Sequence, residues 1–180
     1  MKNILLVIDM QNDFIDGALG TPEAENILPK VVEKMKTYPK EYIYATRDTH
    51  FANYMETQEG KHLPIAHCIQ GSEGWQLQKD VAALVAEEHI IDKVTFGSVQ
   101  LMEKMAEIAE KEEIALELIG VCTDICVISN ALCLKAKLPE VPICVDASCC
   151  AGITWKSHYN ALEAMKLCQI TITGEEALEA

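Results

Sequence analysis

The sequence has no excess of basic residues. Lys and Arg number 15 against 28 Asp and Glu, a formal charge of −13. A nucleic-acid binder needs a basic footprint, and here the cations are dispersed with no basic stripe. Long apolar runs are missing too. The first, ILLVI at 4–8, stops at Asp9 and is too short for a membrane span or a signal core. Without export, the expected location is the cytoplasm, and the eight cysteines are expected to be free thiols rather than a disulfide framework. No CxxC pair occurs, which argues against a structural zinc site made of thiols. Repeats and low-complexity segments are absent, and Gly and Pro are scattered. What is present is apolar content: 49% of 180 residues, enough for one domain with a sizeable core, predicted over residues 1–180.

Short apolar runs alternate with helical patterns. ILLVID (4–9) reads as a buried strand. In TPEAENILPKVVEKMKTY (21–38), Ile27, Leu28, Val31, Val32 and Met35 fall at helical spacing, with Thr21 as cap and Pro22 in the first turn. Strands are also predicted at 41–48, 89–93, 114–121, 141–148 and 169–173, and helices at 76–88, 98–112, 123–137 and 154–168. Residues 49–75 show no periodicity, and a connection of that length in a compact domain is usually functional or disordered. Strands alternating with helices predict an α/β fold: a three-layer α/β/α sandwich around a six-stranded, mostly parallel sheet.

In such sheets ligands bind beyond the carboxyl ends of the strands. Four runs end there in polar groups: Asp9, Asp48 followed by His50, Lys93, and GVCTDICV (120–127) with Cys126 at the start of the next helix. A thiol at a helix N-terminus, near the Lys93 ammonium, is expected to have a lowered pKa. Asp9 can take its proton, and N–H groups at the helix start can hold an oxyanion. These parts compose an acyl-transfer site. Each residue alone also has an ordinary reading: Asp9 in a turn, Lys93 as a solvated surface charge, Cys126 in the core.

The chain resembles the isochorismatase-like cysteine hydrolases over nearly its whole length, and within them the nicotinamidases. VIDMQNDF (7–14), Lys93 at the end of IIDK, and GVCTDICV carry the resemblance. It implies hydrolysis of a small amide, with catalytic Asp9, Lys93 and Cys126. It also implies an oxyanion hole from the backbone N–H groups of Cys122 and Cys126, with a cis peptide at Val121–Cys122. Asp48, His50 and His67 match the metal ligands of nicotinamidases, and Glu59 is the candidate for a further ligand, with His62 as runner-up. These nitrogen and oxygen donors suit zinc first, with iron or manganese as alternatives. Phe14 matches one aromatic wall of the substrate pocket. The other wall falls at Pro64, which is not aromatic, so Leu63, Tyr54 or Phe96 is expected to complete the pocket. The resemblance further implies a homo-oligomer.

Competing expectations are a family hydrolase acting on a carbamoyl compound or an isochorismate-like ether, and a thiol redox or metal-binding regulator using Cys122 and Cys126. Cys133, Cys149 and Cys150 are expected to pack in the core or after the fifth strand. His158 is expected to pack or cap, His89 to be exposed, and Trp75 to pack away from the pocket.

Overall fold

The computed structural model describes residues 1–175; positions 176–180, the end of GEEAL and of the expected 1–180 domain, lie outside the described residues. Six strands form one sheet: β1 (Lys2–Ile8), β2 (Ile43–Asp48), β3 (Ile90–Lys93), β4 (Ile114–Val121), β5 (Ile143–Ala151) and β6 (Thr171–Thr173). Every ladder is parallel, and the order is β3-β2-β1-β4-β5-β6. The chain winds outward from β1 to β3, then returns to β4 beside β1 and winds the other way. The crevice between the carboxyl ends of β1 and β4 is therefore the topological switch point, where open α/β sheets bind ligands.

Among the described residues the α-helices are α1 (Asn12–Ile15), α2 (Pro22–Lys36), α3 (Gln58–His62), α4 (Lys79–Ala82), α5 (Val99–Ala109), α6 (Ile128–Lys137) and α7 (Trp155–Leu167). Side chains alternate across each strand, so each central strand feeds two cores. Leu6, Leu116, Leu118 and Val145 meet α5, α6 and α7 through Leu101, Met105, Leu134, Leu162 and Met165. Leu5, Val7, Ile119 and Val121 meet α2 through Ala24, Ile27, Val31 and Met35. This is the expected three-layer sandwich. No helix among the described residues is long and apolar enough to cross a membrane.

Caps follow the sequence closely. Thr21 Oγ1 accepts from the Ala24 N–H at 3.1 Å, Ser98 Oγ from the Leu101 N–H at 3.1 Å, and Thr154 Oγ1 from the Ser157 N–H at 3.0 Å.

Three expectations are corrected. The helix over 76–88 shrinks to α4, because its ends are used elsewhere. Leu77 bridges to Gln11, Gln78 donates its N–H to the Met10 carbonyl, and Glu87–His89 form a separate tight turn that leads into β3. Tertiary pairing overrides helix propensity there. The strand over 141–148 runs instead to Ala151, so Cys149 and Cys150 lie within β5 rather than after it. Between Leu118↔Val145 and Gly120↔Cys150 the β5 chain carries extra residues, a large bulge that resets its register. The helix over 123–137 begins with a π-helical turn, Thr123–Val127, before α6.

Close approach requires a glycine near the end of β4. Gly120 has φ +121°, and a Cβ there would strike the Ile8 carbonyl oxygen. β4 can lie this close to the end of β1 only without a side chain at that point.

Candidate active site

Asp9 directly follows β1 with φ +50°, a left-handed conformation in which Asp is among the few tolerated residues. Its backbone leaves the strand sharply there, and its carboxyl group stays in the crevice, fully buried. Thr46 on β2 holds it: Thr46 Oγ1 accepts from the Asp9 N–H at 3.2 Å and donates to Asp9 Oδ1 at 2.6 Å. Lys93 ends β3, across β2 from Asp9. Its Nζ lies 2.7 Å from Asp9 Oδ2, 3.4 Å from Asp48 Oδ1 and 3.5 Å from Cys126 Sγ. The ammonium approaches Oδ2 off the hydrogen-bonding axis, so that oxygen keeps an unused lone pair. One lysine thus touches two carboxylates and a thiol.

Cys126 lies in the π-helical turn after β4 and is 5% exposed. The Cys122 carbonyl accepts from the N–H groups of Ile125 and Val127, at 3.1 and 3.0 Å, which folds the turn on itself. The peptide Val121–Cys122 is cis.

Burial sets the charges. It pushes the Cys126 thiol well above the ordinary range, and neighbouring Asp9 adds to this while Lys93 opposes it. The lowered thiol pKa expected from helix position and Lys93 is therefore corrected: removal from water outweighs both. Burial also raises the Asp9 proton affinity, with the Lys93 ammonium working against it. Lys93 is held above its usual value despite desolvation, because Asp9 and the other acidic neighbours surround it. Burial and Asp9 thus favour the protonated form of the Cys126 thiol, beside the contact between the Lys93 ammonium and the Asp9 carboxyl group. The proton-seeking carboxylate is the stronger base for its burial.

A second group adjoins it. Asp48, His50, Glu59 and His67 each offer one ligand atom, and these atoms lie within 4.8 Å of one another. His50 Nε2 is 2.9 Å from Asp48 Oδ2 and 3.5 Å from Glu59 Oε1. His67 Nε2 is 3.6 and 3.7 Å from the same oxygens. A tetrahedral shell with bonds of about 2.1 Å has edges of roughly 3.4 Å, so these separations suit one ion. Two carboxylates and two neutral imidazoles also balance a divalent charge. The His67 Nδ1–H donates to the Ile65 carbonyl at 2.8 Å, which leaves the lone pair on Nε2. His50 Nε2 is buried without a directed hydrogen bond, as a ligand nitrogen would be. Beside its two acids, and against the cost of burial, His50 is raised to about 9, and Asp48 is held below the usual carboxylate range. His62 stands apart, exposed, with Nδ1 bonded to the Gln58 carbonyl.

The expected pocket residues occupy different settings. Phe14 is buried, its ring 5.6 Å from that of His67. Tyr54 is fully buried, edge-on to His50 at 4.6 Å and His67 at 5.1 Å, and its hydroxyl donates to the Leu63 carbonyl at 2.8 Å. Leu63 is half-buried, and Phe96 is 46% exposed. All eight cysteines are free. Cys133 is half-buried beside Gly97 rather than in the core. His89 stacks on Tyr44 at 4.1 Å instead of standing in solvent. Trp75 donates to Thr49 Oγ1 and lies under the Arg47 guanidinium. His158 is buried against Thr123 Oγ1 at 2.8 Å.

The sequence reading missed the residues that brace the site. Gln11 is fully buried; its Oε1 accepts from the Asp48 N–H at 2.7 Å, and its Nε2 donates to the Asp48 and Trp75 carbonyls at 2.9 and 2.8 Å. Asn130 and Thr46 do similar work. A polar residue two after Asp9, or four after Cys126, was the available signal.

The profile of the Isochorismatase domain matches residues 3–177. Among known proteins, the isochorismatase family protein PncA of Bacillus subtilis is 29% identical over 143 residues, covering 73% of this chain and 78% of that protein. The solved pyrazinamidase of Pyrococcus horikoshii in complex with zinc superposes with a TM-score of 0.80 at 28% identity, covering 96% of this chain and 99% of that one. The nicotinamidase/pyrazinamidase PncA structure from Bacillus subtilis also gives 0.80, at 25% identity, covering 96% and 100%. With the profile spanning all six strands and both groups of the crevice, the chain belongs to the isochorismatase domain family.

Proposed function

We propose that the protein is a metal-containing cysteine amidohydrolase that converts nicotinamide, or a related small amide, to its acid and ammonia. The observation that carries this is Lys93, whose ammonium lies within 3.5 Å of Asp9, Asp48 and Cys126. It ties a thiol–carboxylate pair to a set of metal ligands. The relatives named above as nicotinamidases and pyrazinamidases support the substrate class.

In this reading Asp9 takes the Cys126 proton as the sulfur attacks the carboxamide carbon. Lys93 holds the carboxylate and offsets the charge that develops on sulfur. The backbone N–H groups of Cys122 and Cys126 receive the oxyanion. Asp9 then returns its proton to the departing amine, the C–N bond breaks, and ammonia leaves a thioester on Cys126. Water, deprotonated by Asp9, attacks the thioester, and Cys126 leaves as the thiol with the acid product.

Asp48, His50, Glu59 and His67 would hold the ion, zinc being our first choice over iron or manganese. When bound, such an ion supplies a Lewis-acidic anchor for a lone pair of the substrate or of its water. Phe14, Leu63, Tyr54 and Phe96 are the residues we assign to the pocket wall. A homo-oligomer in the cytoplasm belongs to the same reading.

The deciding experiment offers the metal-loaded protein nicotinamide, pyrazinamide, a carbamoyl compound and an isochorismate-like ether. Ammonia from the aromatic amides is expected. Turnover of the ether or carbamoyl compound alone would move the protein elsewhere in its family.

A further inference from the structure

Asn130 lies on α6, four residues after Cys126, and is 1% exposed. Its amide makes three hydrogen bonds. Nδ2 donates to the Cys126 carbonyl at 2.8 Å and to the Phe96 carbonyl at 3.1 Å, and Oδ1 accepts from the Ser98 N–H at 2.8 Å. Both amide protons and the carbonyl are therefore in use. Phe96 and Ser98 belong to residues 94–98, the segment that leaves Lys93 and enters α5. A separate observation fixes the same segment. At Gly97 an added Cβ would lie 3.0 Å from Cys133 Sγ and 3.2 Å from the Ser129 carbonyl oxygen. The backbone after Lys93 is thus laid directly on the helix that follows Cys126, and Asn130 is the side chain that bonds the two.

We propose that Asn130 is a positioning residue for amide hydrolysis, setting the register between Lys93 and Cys126. This rests on the reading of Lys93 and Cys126 as working partners. Asn130 touches neither substrate nor thiol; it acts through the Cys126 carbonyl and the segment after Lys93. The Lys93–Cys126 contact, at 3.5 Å, is an ordinary distance for a hydrogen bond to sulfur. A shift of about 0.5–1 Å takes the ammonium out of reach of the sulfur. The thiolate formed during the reaction then loses its only cationic neighbour among the described contacts of that crevice.

A purely structural amide would affect folding and leave the kinetics alone, so the test separates the two. The full-length, metal-loaded chain is prepared as wild type, Asn130→Leu, Asn130→Thr and Leu134→Ala. Leu134 is buried one turn further along α6 and serves as the stability control. Melting temperature is measured together with kcat and KM for ammonia release. The pH dependence of Cys126 alkylation by iodoacetamide is read by peptide mass spectrometry, which resolves it from the other cysteines.

Asn130→Leu is expected to lower kcat about ten- to a hundredfold, as small misplacements do, with KM nearly unchanged. It should also raise the pH midpoint of Cys126 alkylation, because the thiolate is the reacting form. Leu134→Ala should lose melting temperature but keep the wild-type kcat and midpoint. In Asn130→Thr the hydroxyl can still bond the carbonyl four residues back but cannot reach the loop, so both readouts should fall between wild type and Asn130→Leu.

A wild-type alkylation midpoint in Asn130→Leu, or a kcat no lower than that of Leu134→Ala, overturns the proposal. If Asn130→Leu does not fold, the Thr variant decides in the same way. If the wild type released no ammonia from any amide, the functional reading would fall by itself. The alkylation midpoint would still decide for or against Asn130.

Discussion

The two halves of the crevice are built differently. Asp9, Lys93 and Cys126 come from the ends of β1, β3 and β4, held by the sheet and its two cores. The proposed metal set is mixed. Asp48 ends β2 and His50 lies just beyond it, whereas Glu59 lies on α3 and His67 on the extended stretch after it. Strand ends are fixed before any ligand arrives. A loop ligand must be ordered by local contacts, here Tyr54 to Leu63, His67 to Ile65, and the Cys68 N–H to Asp13. The acid–thiol half is therefore expected to be preorganised, and the other half to be completed by its ion.

The largest expected effect falls on the strand half. Cys126→Ala removes the proposed attacking atom and should lower kcat for ammonia release by at least about 10⁴-fold. Metal content should not change, because Cys126 is absent from the ligand group. Activity surviving at a tenth of wild type would mean that another group attacks the amide.

The same division explains what could be seen in the sequence. The sheet and the three strand-end residues were legible because apolar runs interrupted by Asp9, Lys93 and GVCTDICV mark where buried strands stop. The Asp-x-His at 48–50 was legible for the same reason. Glu59 and His67 came only from the family resemblance, since nothing in the periodicity of 49–75 brings them to His50. Gln11 and Asn130 were invisible because polar residues near a strand or helix end are ordinary, and their bonding partners are backbone groups that sequence does not display. The π-helical turn at Thr123–Val127 and the bulge in β5 also depend on tertiary fit, through the Cys122 carbonyl and the register with β4.

Removing the proposed ion should separate the halves next. At an ion concentration about a hundred times its Kd, binding adds roughly 2.7 kcal/mol to stability. For a chain of this size each kcal/mol moves Tm by about 2–4 °C. A chelator should thus lower Tm by roughly 5–10 °C, while Cys126 alkylation keeps its wild-type pH midpoint. A large change in that midpoint on chelation would show that the acid–thiol half is not preorganised.

Gln11→Leu tests whether the brace on Asp48 matters to the metal half. It leaves the Asp48 N–H and two carbonyls without partners in a buried place. Metal affinity, measured by competition with a chromogenic chelator, should fall about ten- to a hundredfold, as happens when groups that orient a ligand are removed. Wild-type affinity would show that the cores alone hold Asp48.

The smallest effect should appear away from the crevice, in the polar cluster between α2 and the middle of β4 and β5. Lys34 Nζ lies 3.1 Å from Glu117 Oε1 and 2.7 Å from Asp146 Oδ2, and the Ser148 hydroxyl donates to Asp146 Oδ1 at 2.6 Å. Against burial, which acts to raise it, Lys34 and Ser148 hold the Asp146 carboxyl below the usual range. A carboxylate depressed in the folded state stabilises above its unfolded pKa of about 3.9, and that stability is lost as pH falls through the folded value. Asp146→Asn should therefore lower Tm by a few degrees at pH 7 and narrow the gap to wild type as pH drops below about 4. Its kcat should equal that of wild type throughout. If kcat fell in parallel with Tm, the bulge in β5 would be coupled to the nucleophile turn through β4, and the sheet could not be divided into a working edge and a passive middle.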